Sequence, residues 1–176
     1  MLEPNIIVPA YNESWETLRI CSITLKTLYP NYQYTWAIDE PNNRRGKGKA
    51  IKQNLKPNTV NIYVDADLSV DPRNITPMLN ILKQTQGLVI AQRIAQGRTF
   101  QRTLTSKLYN SLVRLLFSTG VKDHQCGLKL LGVEATEIAQ WVKANGFFFD
   151  TERIIRCKKA GITITDYPAM WHESNR

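Results

Sequence analysis

Two carboxylates spaced i and i+2, Asp65 and Asp67 with Ala66 between them, follow directly on the run Val60-Asn61-Ile62-Tyr63-Val64. That run is β-branched and aromatic, and it stops where the charge begins, as a buried strand does. Just past the carboxyl end of a strand, both side chains can face one crevice. In open α/β sheets such a crevice is where ligands bind. Carboxylate oxygens placed there suit a hard divalent cation that holds a substrate diphosphate at the same time. A solvated turn is the other reading of these residues, because Asp is favoured in turns.

Four further segments carry chemistry of the same kind. In Val8-Pro9-Ala10-Tyr11-Asn12-Glu13, Pro9 stiffens the exit from a first strand, Tyr11 offers a ring to a base and Glu13 can accept ribose hydroxyls. The same residues also read as a capping turn, with Glu13 complementing the helix dipole. Asp39-Glu40 closes a second strand and can accept from a base N–H or a hydroxyl. Arg44-Arg45-Gly46-Lys47-Gly48-Lys49 is a glycine-interrupted basic loop opening a helix, where the backbone can approach phosphate. It lacks the Walker spacing, and a solvated basic turn fits it equally. Last come Gln92-Arg93, Arg98 and Arg102, then Val121 to Lys129 with Asp123, His124, Gln125 and Cys126. Arginine forks match phosphate oxygens. His124 has no His or Cys partner at ligand spacing.

The elements that must position these residues alternate. Strands are predicted at 5–8, 34–38, 60–64, 88–91, 128–131 and 162–164. Helices are predicted at 13–28, 47–55, 75–82, 103–118, 134–143 and 150–160, with Asn12 as the cap of the first. Its apolar spacing runs through Trp15, Leu18, Ile20, Ile23 and Leu25. Strand–helix alternation points to an α/β fold with a mostly parallel, Rossmann-like sheet flanked by helices. At 176 residues and 43% hydrophobic content, one compact domain over 1–176 accounts for the chain. Within it, residues 1–93 read as a nucleotide-sugar half and 94–176 as an acceptor half. The net charge of +8 calls for an anionic partner: nucleic acid, acidic lipid or a phosphorylated small molecule. Cys21, Cys126 and Cys157 match neither a disulfide framework nor a zinc pattern. No apolar run reaches 18 residues and no secretory signal is read, so a cytoplasmic chain is expected, with peripheral membrane contact open to it.

Taken in order, Pro-Ala-Tyr-Asn-Glu, Arg-Gly-Lys-Gly, Asp-Ala-Asp, Asp-x-Gln-Cys-Gly-x-Lys, Phe-Asp-x-Glu (Phe149 to Glu152) and Trp-x-Glu (Trp171 to Glu173) resemble the family-2 glycosyltransferases of the GT-A fold. The dolichyl- or polyprenyl-phosphate sugar transferases are the most similar subgroup, the glucosyltransferase branch ahead of the mannosyltransferase branch. The resemblance runs from Ile7 to about Glu173. It implies that Pro9, Tyr11, Glu13 and Asp39 line a nucleoside pocket with Lys47 near it. It implies that Asp65 and Asp67, with Ala66 in the donor site, hold Mg²⁺ or Mn²⁺ on the diphosphate. Arg93 and Arg102 match positions that meet donor phosphates or a lipid phosphate, and Asp123 and Gln125 stand at the sugar end, with Trp171 as the floor.

The chain departs from that pattern in two places. Asp39-Glu40-Pro41-Asn42-Asn43 replaces an acidic-Gly-Ser segment, and a helix and strand are missing behind it. Leu68-Ser69 stands where mannosyltransferase relatives carry a Gln that contacts the metal. The activity implied is a metal-dependent, inverting transfer of a hexose from UDP-glucose or GDP-mannose to a polyprenyl or dolichyl phosphate, catalysed around Asp65, Asp67, Asp123, Arg93 and Arg102. A protein or glycan acceptor is the enzymatic alternative, with Asp123 then the first candidate for general base. A non-catalytic nucleotide- or nucleic-acid-binding relative is the alternative from another class, although no nucleic acid is expected as partner. The leucines of 103–118, with Arg98, Arg102, Lys107 and Arg114 nearby, read as core or as a face for an anionic membrane.

Overall fold

Hydrophobic runs too short to be helices become the strands of one sheet: β1 (Asn5–Tyr11), β2 (Gln33–Asp39), β3 (Asn61–Val64), β4 (Leu88–Ala95), β5 (Leu128–Leu131) and β6 (Ile164–Trp171). Their order is β2-β1-β3-β5-β4-β6. The structure is a computed structural model, and it describes residues 3–39, 46–95, 111, 113 and 115–172. Pairing is parallel between β1 and β2, β1 and β3, and β4 and β6. β5 alone runs antiparallel, between β3 and β4. The sheet is therefore mostly parallel, and β5 from the second half of the chain is inserted into the sheet of the first.

Helices α1 (Trp15–Leu28), α2 (Lys47–Lys52), α3 (Ile75–Thr85), α4 (Val133–Gln140) and α5 (Phe148–Lys159) flank that sheet. Ile6, Ile7, Ile62, Tyr63, Leu88, Val89, Leu128 and Leu130 are fully inaccessible. Successive residues of one strand are thus buried on both faces, the mark of a covered parallel sheet. In α3 the buried set is Ile75, Met78, Leu79 and Leu82, an i, i+3, i+4, i+7 stripe that turns one side inward.

Several boundaries differ from the sequence expectation. Ser14, not Asn12, caps α1: its hydroxyl accepts from the Thr17 N–H at 3.1 Å, while Asn12 lies at φ 54° and turns the chain out of β1. The apolar spacing of α1 does not mark its inner face. Cys21 and Leu25 are buried, whereas Trp15, Ile20 and Ile23 are 78%, 52% and 56% exposed. β6 reaches Trp171 rather than stopping at 164, and pairs with β4 along its whole length. Asp166 and Pro168 hide it in the sequence, but Pro is tolerated where a strand has a neighbour on one side only. Of the expected helix 103–118, positions 111, 113 and 115–117 are described and helical. Val113 is buried, and Leu115 and Leu116 are mostly exposed. β2 and β6 are the two edge strands of the sheet.

Candidate functional site

Strand direction brings the candidate residues to one edge. Tyr11 and Asp39 are paired at the carboxyl ends of β1 and β2, and Asp65 follows the last residue of β3. Because β5 is reversed, its amino end, preceded by Asp123, Gln125 and Gly127, lies at that same edge, with Val64 opposite Leu128. Arg93 is near the carboxyl end of β4, and β6 places Trp171 opposite Ala95. The end of β6 folds over the loop after Asp67: the His172 N–H donates to the Ser69 carbonyl at 2.9 Å, and Val70 bridges to Trp171.

Asp65 is the best-framed of these residues. Its N–H donates to the Gly127 carbonyl at 3.0 Å. A Cβ on residue 127 would lie 2.2 Å from Asp65 Oδ2 and 2.5 Å from its Cγ, so only glycine leaves the carboxylate its place. On the other side Lys47 Nζ meets Asp65 Oδ1 at 2.7 Å, with 17% of the lysine side chain and 32% of the aspartate side chain exposed. Burial pulls the Lys47 pKa down, but Asp65 and Asp150 more than offset it, and the ammonium is held above its ordinary value. Asp67 accepts from the Ser69 N–H at 3.1 Å, which shapes the turn that carries both carboxylates.

A divalent cation fits this arrangement. Hard oxygen donors are present, a glycine cradle keeps room for one of them, and a lysine ammonium already sits against it as a cation would. Among the described residues no group of three or more His, Cys, Asp or Glu could share such an ion. Asp65 and Asp67 would thus hold it with substrate oxygens and water completing the shell, the usual arrangement for Mg²⁺ on phosphates.

Arg93 and Asp123 form the second pair. Arg93 Nε reaches Asp123 Oδ2 at 2.6 Å and Nη2 reaches Oδ1 at 2.8 Å, a two-pronged contact. Asp123 also accepts from the Gln125 N–H at 3.3 Å. Burial raises the Asp123 pKa, Arg93 outweighs it, and the carboxyl lies below its usual value. Cys126 is beside it, but burial pushes that thiol up to about 11, which makes it a poor nucleophile. His124 is fully buried, with Nε2 at 2.9 Å from the Thr119 hydroxyl, a packed core residue.

Other expected residues also lie at or just past this edge. Pro9 is half-buried, Tyr11 is 41% exposed, and Glu13 is half-buried just past β1. Ala66 is buried and Trp171 nearly so. Arg98, Arg102, Lys107, Arg114, Glu40, Arg44, Arg45 and Glu173 lie outside the described residues. The glycines of the basic loop have a different use from the one expected. A Cβ on residue 46 would meet the Asn145 carbonyl oxygen at 2.6 Å, and one on residue 48 would meet Phe149 Cβ at 2.4 Å. The Lys49 N–H donates to that same Asn145 carbonyl at 3.2 Å. These glycines pack the start of α2 against Asn145 and Phe149, and Lys47 from the same loop reaches Asp65.

Sequence reasoning missed the cluster beneath. Tyr63, Lys129, Asp150 and Arg153 are at most 3% exposed. The Tyr63 hydroxyl donates to Asp150 Oδ1. Arg153 Nη2 reaches that same oxygen at 2.9 Å and the Tyr63 oxygen at 2.5 Å. Lys129 Nζ lies 3.2 Å from Asp150 and donates to the Cys126 carbonyl at 2.6 Å. The Arg153 guanidinium also stacks between the Tyr63 and Phe149 rings, at 5.0 and 5.3 Å. The signal was a lysine within Leu128-Lys129-Leu130-Leu131, since a cation on a strand this apolar requires a buried anion.

No family model matches the chain. Among curated proteins, it is 26% identical to the glycosyltransferase AglD of Haloferax volcanii over 97% of this chain and 33% of that protein. It is 25% identical to the dolichyl-phosphate beta-glucosyltransferase of Saccharomyces cerevisiae over 92% of this chain and 54% of that protein. The chain thus spans from about a third to about half the length of these relatives. Among solved structures, mannosyl-3-phosphoglycerate synthase from Rubrobacter xylanophilus superposes with a TM-score of 0.67 at 18% identity, over 98% of this chain and 67% of that one. Glucosyl-3-phosphoglycerate synthase from Mycobacterium tuberculosis, in complex with Mn²⁺, uridine diphosphate and glucosyl-3-phosphoglycerate, gives 0.66 at 13% identity, over 99% and 72%. The resemblance read from the motifs is borne out in sequence and in fold: the chain is a homologue of glycosyltransferases, dolichyl-phosphate glucosyltransferases among them, built on the GT-A fold.

Proposed function

We propose that this chain carries the catalytic site of a glycosyltransferase that moves a hexose from a nucleotide diphosphate to a polyprenyl phosphate, with inversion at the anomeric carbon. The observation that carries the proposal is Asp65, set at the carboxyl edge of the sheet against Gly127 and paired with Lys47 at 2.7 Å. Asp65 and Asp67 would hold Mg²⁺ or Mn²⁺, which when bound supplies positive charge to the departing diphosphate. Pro9, Tyr11, Glu13, Asp39 and Ala66 would form the nucleoside side of the crevice. Gln125 would meet the sugar and Trp171 would floor it. Arg102 remains a candidate for the acceptor phosphate.

Asp123 favours a phosphate acceptor over a hydroxyl one. Both its oxygens are taken by Arg93 and its pKa is lowered, so it is a weak proton acceptor. An ionised phosphate attacks without surrendering a proton, and no base is then required of the protein. Arg93 would hold Asp123 and the following Gln125 in register. The dolichyl-phosphate glucosyltransferase relatives support this acceptor class. The neighbour structures bound to Mn²⁺ and UDP-glucose support the donor and metal class. Exposed Leu115 and Leu116 offer an apolar face for a lipid. No helix among the described residues is long and apolar enough to cross a membrane.

The test is a transfer assay with radiolabelled UDP-glucose and GDP-mannose and, in separate arms, polyprenyl phosphate, a peptide and a glycan. Sugar should appear on the lipid, disappear with EDTA and return with Mn²⁺. Asp65→Asn should lower the rate by about 10³-fold, the scale of a lost transition-state electrostatic contact, with its unfolding transition nearly unmoved. Transfer to the peptide or glycan instead would replace the acceptor. Nucleotide binding without turnover in any arm would reduce the chain to a binding protein.

A further inference from the structure

Lys47 stands between two charge clusters. Its ammonium is 2.7 Å from Asp65 on the rim, and 5.9 Å from the centroid of the Tyr63 ring on the interior side. The backbone that carries it is tied at the start of α2, where the Lys49 N–H donates to the Asn145 carbonyl at 3.2 Å and Gly46 and Gly48 pack directly on Asn145 and Phe149. The side chain is the part that would change partner.

A cation placed on Asp65 repels that ammonium at close range, so Lys47 must find another anion. Inward, Asp150 already serves both Lys129 at 3.2 Å and Arg153 at 2.9 Å. Across the rim, Asp123 is held at both oxygens by Arg93. With Asp150 and Asp123 so engaged, an anion brought into the crevice would satisfy the ammonium. A diphosphate lying on the same cation is such an anion.

We propose that Lys47 couples the cation to the nucleotide: it competes with a lone cation for Asp65, and transfers its charge to the diphosphate when both ligands are present. The cation alone then binds weakly, and cation and nucleoside diphosphate bind with positive cooperativity. By linkage the enhancement is the same in either direction, and couplings of this kind are commonly about 5- to 150-fold. The inference rests on the proposed cation site at Asp65 and Asp67.

Titration of the full chain with Mn²⁺ alone, followed by electron paramagnetic resonance, and with Mn²⁺ plus saturating UDP or GDP, measures the coupling. The wild type should bind Mn²⁺ at least tenfold more tightly with the nucleotide than without. Lys47→Met should bind Mn²⁺ alone roughly tenfold more tightly than the wild type and lose most of the enhancement; Lys47→Arg should keep it. If Lys47→Met binds Mn²⁺ alone no better than wild type while the enhancement persists, the inference is overturned and the proposed function stands. Equal Mn²⁺ affinity with and without nucleotide in the wild type overturns it as well, whatever the variant's folding. Failure of the wild type to bind Mn²⁺ under either condition removes the cation site, and this inference with it.

Discussion

The rim of the sheet and the interior just beneath it hold the same ingredients in different proportions. On the rim two carboxylates each hold one cation, Lys47 on Asp65 and Arg93 on Asp123, and some of each pair reaches solvent. In the interior one carboxylate, Asp150, serves two cations and a phenol, and none of the four reaches solvent to any extent. An open pair can exchange a partner for a ligand at modest cost, because water compensates whatever is released. A closed cluster cannot, since every unmatched charge would be stranded in low dielectric. Acidic residues of one site thus divide into those available for chemistry and one that anchors the strands bearing them.

Asp150→Asn breaks the closed cluster and carries the largest expected effect. It leaves the Lys129 and Arg153 charges without a buried anion, and loss of one partner of such a group costs about 3–5 kcal/mol. Urea unfolding should report that loss at pH 7. The acid limb gives a second reading. Burial raises the Asp150 carboxyl, but Lys129, Arg153 and Lys47 outweigh it and hold it at about 2, against 3.8 for the free group. Its contribution is therefore full above pH 3.8 and fades as pH falls toward 2. The variant should lack that part of the wild type's acid sensitivity. A loss below 1 kcal/mol would mean that the interior group is no anchor.

Legibility in the sequence follows this division. The rim was readable because its residues follow strands, and a carboxylate at a strand's end announces itself against an apolar run: Asp65 and Asp67 were placed from five preceding residues. The alternation of elements likewise carried the mostly parallel sheet. What was hidden depends on contacts between distant segments. Arg93 and Asp123 are 30 positions apart, so their mutual two-pronged contact has no local pattern. Tyr63 and Asp150 are 87 apart. Apolar spacing misled in α1, where Cys21 and Leu25 turn inward while Ile20 and Ile23 stay exposed. The glycines of the basic loop were legible as glycines but not as packing residues, because their neighbours at 145–149 come from the far end of the chain.

Gly127→Ala tests the rim without touching a charge. Its methyl group would need the space of Asp65 Oδ2, 2.2 Å away. The carboxylate must rotate or withdraw, and displacement of a reacting group by about 1 Å can cost roughly 10²-fold in rate, or about 2.7 kcal/mol. The backbone at 127 is not in the left-handed region, so folding should suffer little. Transfer rate and Mn²⁺ affinity should fall together while the urea midpoint stays near wild type. An unchanged rate would separate Asp65 from the chemistry and erase the contrast between open and closed carboxylates.

Lys129→Met probes the surplus cation of the interior and should have the smallest effect at neutral pH. Asp150 keeps Arg153 and Tyr63, so the chief loss is the bond from Lys129 to the Cys126 carbonyl, about 1 kcal/mol for a buried group left unpaired. Burial and the nearby Arg153 and Lys47 charges depress the Lys129 ammonium to about 8 from 10.5, with Asp150 only partly opposing them. A depressed lysine makes its charge a burden on the folded state at all pH below 8, and that burden lifts between pH 8 and 10.5 as the proton leaves. The wild type should therefore gain stability over that window relative to Lys129→Met, and the variant's deficit should be larger at pH 9.5 than at pH 7. Urea unfolding at the two pH values measures the difference. A deficit independent of pH would mean that Lys129 is well matched where it stands, and the interior would then be balanced like the rim.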